Sequence, residues 1–177
     1  MATVIRSFKL LASGLLFGAT LALPALAQEQ EVRATHGSWE VICLKGTDNC
    51  TMQQIGKSAQ GEDALLVRIS KVDATAQNGT KIPASAEIVA PLGVVLPAGV
   101  RVQIDGGQVR GTNYQVCIQI GCLAQDVVSE AFLADMKKGS TARMIVMLPP
   151  NREVAVNISL TGFTKAFNQL KPLRRQQ

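Results

Sequence analysis

From Trp39 onward, apolar residues recur at every second position. Trp39, Val41 and Cys43 fall on one side of an extended segment, and a period of two predicts a strand that buries one face. The stretch "KGTDN" (45–49) has the composition of a turn, and "CTMQQI" (50–55) returns beside the first strand. "DALLVRISKV" (63–72) reads as a further strand and "DATAQNGTK" (73–81) as a loop. Val100, Val102 and Ile104 alternate with Arg101 and Gln103, and Asp105-Gly106 closes that strand with a hairpin-type turn. Pro91 and Pro97 mark edges or breaks, because proline cannot donate to a ladder. In "YQVCIQI" (114–120), Tyr114, Val116, Ile118 and Ile120 share one face. Cys117 lies on the other, beside Gln115 and Gln119, so a bridge from it clamps the outer surface of the sheet.

The period changes after Gln125. Val128, Phe132, Leu133 and Met136 form an apolar stripe at helical spacing, predicting an amphipathic helix over 126–138. Asp126 is its expected N-cap and Gly139 follows its end, with Lys137 and Lys138 in the last turn, where the helix dipole favours cations. Two more strands, "ARMIVML" (142–148) and "EVAVNISL" (153–160), flank a "PPNR" turn. Phe163, Phe167 and Leu170 then predict a short C-terminal helix over 162–170. Strands dominate and helical crossovers are scarce. The pattern predicts a mainly all-β fold with antiparallel pairing, in a sandwich or a closed barrel.

The first residues set the compartment. Arg6 and Lys9 precede an apolar run from Leu10 to Leu23, and Ala25-Leu26-Ala27 ends it with small residues where a signal peptidase cuts. Residues 1–27 are therefore expected to be a cleaved signal peptide, with no membrane-spanning segment in the mature chain. The expected organisation is then a loose mature N-terminus at 28–35, one domain at 36–170 and a basic tail at 171–177 holding Lys171, Arg174 and Arg175. The whole chain carries +5. Removing Arg6 and Lys9 leaves the mature chain near +3 (5 minus 2). That mild charge, with aromatics at 4%, predicts no nucleic-acid partner.

Candidate chemistry is sparse. The single histidine, His36, stands at a strand entrance, and a lone imidazole needs an oriented partner before it can act as a base. Nucleophile elbow, zinc-protease helix, phosphate loop and calcium loop are all missing from the sequence. The expectation is no catalytic, metal or cofactor-binding residue and no cofactor. Four cysteines remain: Cys43, Cys50, Cys117 and Cys122. An even count in an exported chain reads as disulfides. The local pairs Cys43–Cys50 and Cys117–Cys122 close most easily, each contributing roughly 2–2.5 kcal/mol in the chain-entropy model. The rivals are a Cys₄ zinc site, whose knuckle spacing one pair exceeds, and a redox pair, which needs C-x-x-C at a helix start.

Taken in order, "HGSWEVIC" (36–43), "CTMQQ" (50–54), "LPAGVRVQIDGG" (96–107), "VCIQIGCLAQ" (116–125) and "SLTGFTKAFNQL" (159–170) resemble the invasion-associated locus B family of exported alphaproteobacterial proteins. The resemblance covers nearly all of the mature chain. It implies an immunoglobulin-like β-sandwich and a periplasmic or surface-associated product. For pathogenic members it implies a part in entering host cells such as erythrocytes, with no catalytic motif to carry over. Three functions are therefore in play. They are a non-enzymatic envelope module acting on an envelope or host-surface protein, a periplasmic accessory or chaperone-like factor, and a hydrolase built around His36.

Overall fold

The computed structural model describes residues 29–58 and 60–173. The expected signal segment 1–27 and the last four residues of the basic tail lie outside them. The strands are β1 (Gln30–His36), β2 (Trp39–Leu44), β3 (Cys50–Lys57), β4 (Asp63–Thr75), β5 (Lys81–Ala90), β6 (Val100–Ile104), β7 (Arg110–Thr112), β8 (Tyr114–Ile118), β9 (Gly121–Val128), β10 (Thr141–Leu148) and β11 (Arg152–Ser159). Helix α1 (Glu130–Lys138) separates β9 from β10, and α2 (Phe163–Gln169) follows β11.

Among the described residues, all eleven strands belong to one hydrogen-bonded sheet, and every pairing is antiparallel. The main path runs β7-β6-β10-β11-β3-β4-β5-β9-β8, and the β1–β2 hairpin branches from β3. The two ends of this path are consecutive in the chain, because only Asn113 separates β7 from β8. The sheet thus curls until it nearly closes on itself, with the Thr112 hydroxyl donating to the Gln125 carbonyl across the seam. Of the two architectures left open by the strand pattern, the barrel is the nearer. The division into two sheets that an immunoglobulin-like sandwich has does not appear in the ladder.

Register places both helices and the β6–β7 loop at one end of the barrel, since Thr141 pairs with Ser159 and Ala142 with Ile104. The other end is crossed by residues 91–99, which lead from β5 to β6 and bury Val94. Alternating side chains fill the interior, among them Val41, Met52, Val67, Ile69, Val100, Val128, Val156 and Ile158, each at most 2% exposed.

One connection in this sheet is thin. Strand β3 gives the same edge first to β2, from Cys50 to Gln53, and then to β11, where the ladder has the single pair Asn157–Lys57. Side chains take over at the fork. The buried Gln54 amide donates to the Ser159 carbonyl (2.8 Å) and accepts from the Ser159 N–H (2.9 Å). The Trp39 indole N–H donates to the same carbonyl (2.9 Å), and the Trp39 ring meets Phe163 edge-on at 5.2 Å. Gly162 adopts φ 87°, and a Cβ there would lie 2.0 Å from the His36 carbonyl oxygen, so only glycine allows the β1–β2 turn to rest on the entrance to α2.

Four expectations change. The segment 28–35 is not loose from Gln30 onward, because β1 pairs with β2 along the hairpin. Helix α1 begins at Glu130 rather than 126, with Ser129 as N-cap accepting from the Phe132 N–H. Asp126 and Val128 instead continue β9, paired with Ala86 and Ala84 of β5, because Cys122, Ala124 and Val128 keep the period of a strand. The tail does not begin free: Lys171 forms an ion pair with Asp48 at 2.6 Å, and the Leu173 N–H donates to the Lys71 carbonyl. The fourth concerns β8, where a register shift between Tyr114 and Val116 breaks the shared face. Tyr114 packs on the core, while Val116 and Ile118 stand in solvent.

Replacing Gln54 with Leu leaves the part-buried Ser159 N–H without its acceptor. The expected loss is about 1–3 kcal/mol of unfolding free energy, read as a lower urea midpoint. An unchanged midpoint rejects the fork as a source of stability.

Candidate binding surface

The residues expected to carry chemistry do not converge. Cys43 is bonded to Cys50 across the β2–β3 hairpin, and Cys117 to Cys122 across β8–β9. Both pairs are directly cross-strand, so each bridge closes a hairpin that the ladder already aligns. No free cysteine remains, and the thiolates of a Cys₄ zinc site are therefore not available in this state. The Cys117–Cys122 bridge also lies differently from expectation. Cys122 is 2% exposed and turned to the core, whereas Cys117 on β8 is exposed, so the bridge runs from the open β8 strand inward to the core, and the aliphatic side of β8 faces outward. The reason is the same register shift. His36 ends β1 with its Nε2 buried and without a hydrogen-bond partner. Among the described residues, no group of three or more His, Cys, Asp or Glu side chains is arranged to hold a metal ion.

The barrel interior offers little room. Its cavity, lined by Ile69, Val102, Met136, Met144 and Ile158, measures about 40 Å³. A dry apolar cavity that admits benzene is about 150 Å³. The interior is packing space.

The outer face is different. Ladder register lines up Ile55 with Leu66, Leu66 with Val89, Val89 with Leu123, and Leu123 with Val116. These five residues make one apolar row across β3, β4, β5, β9 and β8, about 19 Å long at the usual strand spacing. Its two ends are open to solvent: Ile55 is 50% exposed and Val116 49%. Beside Val116, the hairpin adds Ile118 at 47% and Ile120 at 72%. A polar row runs parallel to it, with Gln53 opposite Arg68, Arg68 opposite Glu87, and Glu87 opposite Gln125. The Arg68–Glu87 ion pair (2.8 Å) and the Gln125 amide on Glu87 hold that rim. The row is closed at its middle, where Val89 is 8% exposed, and its open aliphatic ends beside a fixed polar border have the anatomy of a docking surface rather than of a solvated face.

Periodicity could not reveal this row. It is built from residues whose apolar character looked like core, and their outward direction is set by register. One signal was legible: Leu65 and Leu66 are adjacent, so one of them must leave the interior of any strand.

Tyr114 marks the inner side of the same hairpin. Its hydroxyl is buried with no hydrogen-bond partner, and burial pushes the phenol up to about 12 from its ordinary 10.0.

Three comparisons bear on this chain. Residues 39–171 match the family model described as invasion associated locus B (IalB) protein. The invasion protein B homologues of two Brucella abortus strains are each 28% identical over 148 residues, covering 81% of this chain and 82% of theirs. The crystal structure of invasion associated protein b from Bartonella henselae superposes with a TM-score of 0.62 at 22% identity, covering 77% of this chain and 93% of that one. This last likeness concerns the fold.

Tyr114 is the chain's one tyrosine, so its ionisation can be followed by absorbance without interference from a second phenol. The expected midpoint is near pH 12 in the folded protein. Because the folded value is the higher, its contribution to stability is intact below the unfolded value of 10.0 and is lost as pH rises towards 12. Titration near pH 10 while the protein is still folded contradicts the burial of the hydroxyl.

Proposed function

Since the chain belongs to the invasion-associated locus B family, we propose that it is an exported, non-enzymatic binding protein of the cell envelope whose outer sheet face docks a second protein. The observation that carries this reading is the aliphatic row from Ile55 to Val116 with its polar rim. Burying such a row stabilises a complex by roughly 25 cal/mol per Å² of apolar surface before association costs are met. The candidate partner is an envelope or host-surface protein.

Export is supported by the leader-like first 27 residues and by two disulfides, which persist where thiols are oxidised. Among the described residues, no helix is long and apolar enough to cross a membrane. The absence of chemistry is supported by His36, whose Nε2 lacks the hydrogen bond that would orient it. Curated relatives carry the name invasion protein B homologue, and we extend that role to this chain as promotion of host-cell entry.

The test is complementation of a producing strain that lacks this chain. Loss of the chain should lower host-cell entry, and the wild-type sequence should restore it. The Ile55→Lys variant should fold normally, because residue 55 is half exposed, yet fail to restore entry. Full rescue by Ile55→Lys removes the outer face as the site, and unchanged entry on deletion removes the invasion reading itself.

A further inference from the structure

We propose that the free edge of β8 pairs with β8 of a second copy, forming a two-fold antiparallel dimer whose outer faces join into one. The proposal rests on the docking-face reading and supplies a partner at the margin of that face.

Strand β8 uses one edge for β9. Among the described residues its other edge has no ladder partner. On that side β7, the first part of the same extended run, pairs with β6 through Arg110–Val102, Gly111–Arg101 and Thr112–Val100. The β6 line then stops, because Gly99 and the 3₁₀ turn Leu96–Ala98 lead the chain away. Beyond Thr112, the backbone N–H and C=O groups on this side have no strand to meet.

Open edges are ordinarily guarded by charge, proline or a bulge on the open side. Strand β1, which likewise has a single neighbour, follows that rule with Glu31 and Arg33, and β7, the far end of the path, carries Arg110. Strand β8 does not. No charged residue and no proline occurs from Asn113 to Gln125, and its bulge lies in the pairing with β9.

Charge selects the occupant. A strand carrying Lys or Glu loses hydration against β8 and gains no opposite charge. A second β8 brings an equally uncharged edge. Antiparallel self-pairing about a two-fold axis is reciprocal, each donor of one copy meeting an acceptor of the other. The axis stands perpendicular to the sheet, so Val116 and Ile118 of both copies lie on the same side. The two apolar rows then run end to end.

Size sets the strength. One five-residue edge with its flanking aliphatics falls below the ~800 Å² per partner of a stable interface. The dimer is therefore weak and concentration-dependent.

The experiment is sedimentation equilibrium on the mature chain from about 5 to 500 µM, a range that brackets micromolar association. The mean mass should rise from one copy towards two. Val116→Lys and Ile118→Lys, both at exposed positions, should remain single copies at the highest concentration. Ile55→Lys, at the far end of the row, should dimerise as wild type does. Amide exchange at Cys117, whose N–H points to the free edge because its close pairing with Cys122 is the non-hydrogen-bonded kind, should slow with concentration in the wild type. A wild-type mass of one copy throughout overturns the proposal, as does dimerisation of Ile118→Lys. Failure of the docking face shows in host-cell entry with Ile55→Lys and leaves these masses untouched.

Discussion

The fork at Gln54 is the constraint on which the rest of this structure depends. An antiparallel sheet is held by its ladder, yet β3 and β11 share only the pair Asn157–Lys57. If that boundary opened, the sheet would come apart between β1–β5 and the β10–β11 side, and the barrel would lose its curvature. A buried primary amide closes the gap by satisfying both backbone groups of Ser159. The same carbonyl also accepts from Trp39, whose ring packs on Phe163. Buried backbone groups are costly when unpaired, so this side-chain joint does what further ladder pairs would otherwise do.

The joint also explains why segments far apart in sequence read together. "HGSWEVIC", "CTMQQ" and "SLTGFTKAFNQL" meet at this one place. They supply Trp39 on β2, Gln54 on β3, and Ser159, Gly162 and Phe163 where β11 turns into α2. Their roles are architectural. Asp105, in a fourth segment, accepts from the Ser140 and Thr141 N–H groups and so stops the orphaned start of β10 from fraying. Family likeness thus reports the fold with good reason, and says less about the surface that meets a partner.

Much of the fold was legible from local pattern. Alternation found most of the strands, and the spacing of Phe163, Phe167 and Leu170 found α2 to within a residue at each end. The α1 boundary slipped because Asp126 is a good cap in isolation, while its place opposite Ala86 of β5 is a tertiary fact. The strand at 30–36 was hidden by its polarity: it lies mostly exposed and is held by pairing with β2 rather than by burial. The candidate surface was hardest to read. A single register shift after Tyr114 sends Val116 and Ile118 outward, and nothing in an apolar residue's own identity announces which side of a sheet it will face. The run around Cys117 and Cys122 carries no charge and no proline, a property of the β8 edge that the cysteine spacing does not announce.

Two parts of the molecule thus divide the work. The joint and the core fix the barrel, and the outer face carries exposed aliphatics at Ile55 and along β8. The central claim, that a side-chain joint substitutes for the missing ladder, is tested most directly by native-state hydrogen exchange at the Ser159 amide. Protection close to the global unfolding free energy is predicted, because that N–H is held at 2.9 Å by the buried Gln54. Exchange through local opening at a small fraction of that free energy contradicts it.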